Sequence, residues 1–158
     1  MNNKNILVLI RLSMAWIMLW AFMDKLWGLG FGTTVANSWL QGHSPTSGFL
    51  KSSAGPLAGV FQGMVGNPIV DWLFMLGLLL IGLALLLGIG VRIAGGAGAL
   101  MMLLMWASHF PPSQNPLIDD HIIYLLIFIL LAKNAEGIGR IGIWWAGQKL
   151  VKKYPILK

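Results

Sequence analysis

Four long apolar runs constrain this chain more than any other feature. They fall at roughly 6–29, 69–91, 93–110 and 117–135, each close to the ~20 residues a helix needs to cross a bilayer core about 30 Å thick. Inside lipid the backbone must satisfy its own N–H and C=O groups, so runs of this length read as helices. Composition agrees, since 57% of residues are hydrophobic and only 10% charged, too few polar groups for a soluble domain. The expected fold is all-α: an integral membrane four-helix bundle forming one membrane domain over 1–158. A long structured outer loop at 30–66 joins the first two spans, and an amphipathic C-terminal helix occupies an interfacial tail at 141–158. The first run is too long for a signal-peptide core and no small-residue cleavage site follows it, so it reads as a retained anchor.

The net charge of +6 would suggest nucleic acid if it were spread evenly. With both termini inside, however, Lys4, Arg11, Arg92, Lys133, Arg140, Lys149, Lys152, Lys153 and Lys158 share the inner side against Glu136 alone. Lys25 and Lys51 lie outside with Asp24, Asp71, Asp119 and Asp120. That is the positive-inside pattern of a multi-pass protein of the cell membrane with both termini cytoplasmic. The basic tail then meets membrane lipid at the inner leaflet, and no nucleic-acid partner is expected. Cysteine is absent, which excludes disulfides, thiolate metal sites and a dithiol relay.

The most polar stretch at a membrane boundary is Asn115-Pro116-Leu117-Ile118-Asp119-Asp120-His121-Ile122-Ile123-Tyr124. Ionisable groups in such a place are costly unless paired or hydrated, so their clustering points to a site. Asn115 reads as a helix N-cap and Pro116 as the first helical residue. At 100° per residue Asp120, His121, Tyr124 and Phe128 share one face, with Asp119 opposite, where ordinary dipole compensation accounts for it. The other candidates are Asp24 and Lys25 at the outer end of the first span, with Trp20 and Trp27 beside Asp24 on an aromatic face suited to a flat ligand. His109 approaches the same end from the third span, and His43 belongs to the loop. Arg11 is expected to snorkel to the inner headgroups.

Within the loop, Val35 to Leu40 and Pro56 to Met64 read as short interfacial helices, and Gly42 to Leu50 as a tight turn with an aromatic anchor, forming a lid over the outer mouth. The second span opens with Asn67-Pro68-Ile69-Val70-Asp71, the pattern that recurs at Asn115. Gly88-Ile89-Gly90-Val91-Arg92 is so short that the second and third spans form an antiparallel hairpin. Gly82, Ala84, Gly88, Ala94, Gly95, Gly98 and Ala99 have the small-residue spacing of close helix contacts. Met101, Met102 and Met105 read as adaptable packing, and the spacing of His109 and His121 specifies neither metal nor haem.

The chain resembles the DoxX/DoxD family of four-span prokaryotic membrane proteins over nearly its whole length. The resemblance rests on Asp24-Lys25-Leu26-Trp27, the loop Ser44 to Leu50, Asp71 to Gly77, the turn Gly88 to Arg92, and Asn115-Pro116 through His121 and Tyr124. Within the family it is closest in character to the DoxD-like subunit of a thiosulfate:quinone oxidoreductase. The resemblance implies a subunit in which thiosulfate is oxidised to tetrathionate and a membrane quinone, the electron acceptor, is reduced. It also implies a second redox subunit and a homo- or hetero-oligomer.

Quinone reduction needs proton donors near each carbonyl, and His121, Asp120, Tyr124 and Asp24 are of the right types. Lys25, Trp20, Trp27, His43, His109 and Asn115 are expected to bind the quinone or the substrate, with no resident metal or haem. This enzymatic reading requires Asp24, His121 and Tyr124 to converge on one hollow beneath the outer surface. The competing reading is a non-catalytic membrane scaffold that recruits redox partners. Transport is disfavoured, because broken helices and paired charges are lacking in mid-membrane.

Overall fold

The computed structural model describes residues 3–113, 115–135 and 139–158, without the side chains of 139 and 140. Glu136 and the side chain of Arg140, both used in the charge pattern above, lie outside the described residues. The elements are all helical among the described residues: α1 (Asn3–Trp27), α2 (Ser47–Lys51), α3 (Ala58–Gln62), α4 (Pro68–Leu87), α5 (Val91–Ser108), α6 (Asp120–Lys133), α7 (Gly139–Ala146) and α8 (Lys149–Lys153). Short 3-10 turns at Val35–Asn37, Trp39–Gln41 and Pro155–Leu157 complete them.

Three helices, α1, α4 and α5, are long and apolar enough to cross a membrane. The expected fourth span is shorter than 117–135: α6 has 14 residues, about 21 Å at 1.5 Å per residue. It starts late because Asn115 does not cap it. The Asn115 carboxamide accepts instead from the N–H groups of Leu117 (3.0 Å) and Ile118 (3.2 Å), a turn that holds Leu117 and Ile118 outside the helix. The N-cap is Asp119, whose Oδ1 accepts from Ile122 N–H at 3.2 Å. At the matching sequence in α4 the expectation holds: Asn67 accepts from Ile69 N–H at 2.9 Å, with Pro68 in the first turn.

The α4 and α5 helices form the expected antiparallel hairpin. Its turn is possible because Gly88 (φ +73°) and Gly90 (φ +63°) adopt left-handed backbone conformations that a Cβ would strain. The small residues make the close helix contacts expected of them. A Cβ on Gly82 would meet Leu19 of α1 at 2.7 Å, and Cβ atoms on Gly95 and Gly98 would meet Ala132 and the Phe128 ring of α6 at 2.7 and 2.5 Å. They draw α4 onto α1 and α5 onto α6, and within the hairpin Gly77 of α4 approaches Met101 of α5. Lipid tails are as apolar as leucine, so such close packing, rather than hydrophobic exclusion, holds helices together in a bilayer. Phe128, fully buried, is the centre of this core with Met18, Met75, Leu85 and Met102.

Arg11 departs from the sequence reading. It is buried at 8% exposure and faces the bundle instead of snorkelling. The tail departs as well. Its helix is broken at Gly147-Gln148 into α7 and α8, and the end of the chain is fastened to the start of α5: Arg92 N–H donates to Lys158 O at 2.8 Å, Arg92 Nη1 to Pro155 O at 3.0 Å, and Trp145 Nε1 to Leu157 O at 2.6 Å.

Candidate functional site

The loop between α1 and α4 is folded over the bundle by two buried carboxylates. Asp24, 5% exposed, accepts from the N–H groups of Phe31 at 3.2 Å and Gly32 at 2.9 Å. Asp71, in the first turn of α4, accepts on Oδ1 from Ser44 Oγ at 2.8 Å and from Thr46 Oγ1. On the far side the loop reaches α5. Ala54 N–H donates to Ser108 O at 3.0 Å, Ser52 Oγ lies 3.2 Å from Nε2 of His109, and Gly55 packs so closely that a Cβ would strike the Phe110 carbonyl. Residues 44–55 therefore form a strap from the start of α4 to the end of α5.

Beneath the strap lies an apolar cleft of about 570 Å³ between α4 and α5. It exists because the hairpin is joined at Gly88 to Gly90 while α4 leans on α1 and α5 on α6, so the two helices part towards the strap. Its α4 wall runs from Val70 to Ile81 and its α5 wall from Ala97 to Met105. Eleven residue steps along α4 amount to about 16 Å. Leu73, Leu100 and Leu104 on its walls are also exposed, so the cleft opens sideways through the outer face of the hairpin. Among the described residues, Lys25 and Thr46 are the polar side chains in its lining. Pro45, Phe49 and Leu50 from the strap, Phe61 of α3 and Met64 just after it close it above.

A second, polar pocket of about 670 Å³ lies on the other side of Phe49, which lines both. His109, Asn115, Asp119, Asp120 and His121 face it. Nδ1 of His121 is 2.8 Å from Oδ2 of Asp119 and 3.5 Å from Oδ1 of Asp120, so the closer partner is Asp119, which the helical wheel had set aside. Burial pushes the Asp119 carboxyl up, but the hydrogen bonds from His121 and Ile122 N–H, together with the imidazole charge, outweigh it and hold the group below the usual carboxylate range. Asp120 is largely in solvent. The His109 ring packs against Phe49 with centroids 4.7 Å apart, and its Nδ1 lies 2.8 Å from Ser108 Oγ. Carboxylate and imidazole ligand atoms of Asp119, Asp120 and His121 lie within 4.8 Å of one another, yet the cluster is open to water and its acids serve as cap and hydrogen-bond partner.

The expected convergence of Asp24, His121 and Tyr124 on one hollow is not observed: of the three, only His121 lines a pocket. His109, Asn115, Asp120 and His121 share the polar pocket, and Lys25 enters the apolar cleft. Asp24 joins neither, because its oxygens are taken by loop N–H groups. Tyr124 is half-buried against the core and lines neither space. Trp20 packs between Trp16 (5.4 Å) and Phe31 (5.0 Å), and Trp27 and His43 are exposed away from both. Thr46, Phe49, Asp71 and Asp119 are the residues that the sequence reading did not select. Thr46 and Phe49 lie within the loop Ser44 to Leu50 that carries the family resemblance, which was the available signal. No protein-family model matches the chain, nor does any curated protein or solved structure.

Proposed function

We propose that the protein is the membrane subunit of a quinone-linked sulfur oxidoreductase of the DoxX/DoxD kind, seated in a prokaryotic cell membrane with both termini cytoplasmic. The quinone occupies the cleft between α4 and α5, its prenyl chain along the apolar walls and its ring at Lys25 and Thr46. Thiosulfate is the electron donor; Asp119 and Asp120 in the polar pocket oppose a dianion there, so the donor is taken up with the second subunit. Two thiosulfate ions join through a new S–S bond to give tetrathionate and release two electrons, and the quinone takes these with two protons to become a quinol. The chain has no cysteine, hence no thiolate relay, and a second redox subunit completes the electron path in this reading.

The observation that carries it is the cleft itself. It is long, apolar and open sideways, with Lys25 and Thr46 among its lining residues, and it shares Phe49 with a polar pocket. Largely apolar sites with a few placed polar groups are the common form of small-molecule sites. The test is reduction of a short-chain quinone analogue by thiosulfate in proteoliposomes holding the protein with its co-purifying partner. Thiosulfate-dependent bleaching of the quinone absorbance is expected. Its absence, together with no binding of the analogue to the protein, removes the proposal.

One observation favours the second reading, a non-catalytic scaffold that recruits redox partners. Asp24 is consumed by the loop, so one of the expected proton donors is a structural clamp. Lys152 and Lys153 are exposed on the tail and are the natural contact with an acidic partner. Under this reading reversing their charges abolishes partner recovery, while His121→Ala leaves function intact.

A further inference from the structure

We propose that Thr46 and Asp71 form a proton relay into the apolar cleft. This rests on the quinone reading above. Thr46 lines the cleft, and its hydroxyl donates to Oδ1 of Asp71, which is 7% exposed. Ser44, half-buried on the outer side, donates to the same oxygen at 2.8 Å, and its own Oγ lies 3.4 Å from that of Thr46. One of the carboxyl's two hydroxyl partners thus belongs to a residue that lines the cleft, and the other to a half-buried residue of the strap.

A loop clamp alone does not require this chemistry. An asparagine side chain at 71 offers an oxygen that accepts from the same two hydroxyls, without the cost of placing a carboxyl in a buried site near the membrane. Nor does a clamp require its threonine to line a cavity. A carboxylate in the first turn of α4 gains from the helix N-terminus and from charge-assisted hydrogen bonds, and beyond these it has a capacity that an amide lacks, the ability to take up and give away a proton.

The relay works by reversing one hydrogen bond. With Asp71 ionised, the Thr46 O–H points at the carboxylate. Protonated Asp71 donates to Thr46 Oγ1 instead, which frees the Thr46 hydrogen for an oxygen of a quinone in the cleft. As the quinone gains its two electrons from thiosulfate, each carbonyl oxygen becomes basic and the C=O becomes C–OH. The Thr46 proton passes to that oxygen and the Asp71 proton passes to Thr46. Asp71 is then reprotonated from the outer side past Ser44; the relay supplies the proton of the carbonyl oxygen that faces Thr46, and the second oxygen takes its proton from water. Lys25 is the charged group that lines the same cleft, and its ammonium stabilises the negative charge that arrives before the protons.

The experiment uses the full chain with its partner in proteoliposomes. It compares wild type, Asp71→Asn, Thr46→Val and Thr46→Ser for equilibrium binding of a short-chain quinone analogue and for thiosulfate-dependent reduction in H₂O and D₂O. The relay predicts analogue binding within twofold of wild type in every variant. Asp71→Asn and Thr46→Val should lose tenfold or more in reduction rate with a larger solvent isotope effect, and Thr46→Ser should restore the rate to within threefold. Reduction by Asp71→Asn or Thr46→Val within twofold of wild type overturns the relay. Loss of analogue binding in step with rate also overturns it, because both residues would then act only by holding the strap. A wild-type protein that neither binds nor reduces the analogue overturns the quinone reading itself.

Discussion

Nδ1 of His121 sits 2.8 Å from Oδ2 of Asp119, closer than the 3.5 Å to Oδ1 of the neighbouring Asp120. Backbone geometry decides the order. Asp119 is the N-cap, in extended conformation at φ −123°, ψ −172°, so its carboxylate turns back over the first turn of α6, with one oxygen on Ile122 N–H and the other on the imidazole. Asp120 is the first helical residue and projects into solvent. One side chain thus starts the helix and orients the histidine of the polar pocket, leaving Nε2 of His121 as the nitrogen available to other partners.

This double role gives α6 a pH-dependent start. The folded-state pKa of Asp119 is lowered, so its contribution is present above the ordinary carboxylate pKa and disappears as pH falls through the lowered value. Asp119→Ala should cost about 1 kcal/mol through loss of the cap. Asp119→Asn should retain the cap and lose the pH dependence. Hydrogen exchange at the first amides of α6, followed between neutral and acid pH, checks both expectations. An unchanged pH profile in Asp119→Asn would contradict the assignment.

Packing of α5 on α6 depends on Gly98. A Cβ there would lie 2.5 Å from the buried Phe128 ring, and rigid aromatic atoms do not yield as a flexible chain end does. Gly98→Ala should destabilise the protein by about 1 to 3 kcal/mol, and Phe128→Leu in the same chain should recover part of the loss. Gly96 has no atom within 4 Å of its built Cβ, so Gly96→Ala should be neutral or stabilising by up to about 1 kcal/mol. Thermal unfolding in detergent separates the two glycines.

Ala97 lines the cleft and is exposed on α5. Ala97→Phe should fill the lower cleft while leaving the α5–α6 contact intact. Binding of a quinone analogue should weaken tenfold or more with the melting temperature shifted by only about 2 °C, the scale of a perturbation below 1 kcal/mol. Equal binding by the variant would place the ligand elsewhere.

The chain end is a fastening of the bundle. Removing the indole donor with Trp145→Phe, or the guanidinium donor with Arg92→Ala, breaks single hydrogen bonds to Leu157 O and Pro155 O. Each should cost about 0.5 to 1.5 kcal/mol. Limited proteolysis of the last residues should accelerate in both variants.

Several of these features were legible from residue order. The Asn67-Pro68 start, the glycine turn at 88–90 and the existence of α1, α4 and α5 follow from local backbone chemistry and apolar run length, while their ends lie two to four residues short of the expected 29, 91 and 110. These depend on neighbours in sequence, so the letters suffice. The start of α6 was misread for a related reason: Asn115 and Asp119 are both competent caps, and the choice between them falls to the turn at Leu117 and Ile118 and the bond from Trp106 Nε1 to Leu117 O at 3.0 Å. That bond comes from another helix.

What the sequence by itself determined is the helical, membrane-suited character of the chain, because backbone satisfaction in lipid and run length leave little alternative. Only the tertiary structure decided which polar groups meet. Asp24, Asp71 and Asp119 are the same chemical type at the same end of the bundle, but they hold respectively a loop backbone, two hydroxyls of a strap and an imidazole. A carboxylate takes whichever donors the packing of distant segments brings within about 3 Å, and helical periodicity says which way it faces without saying what will be there.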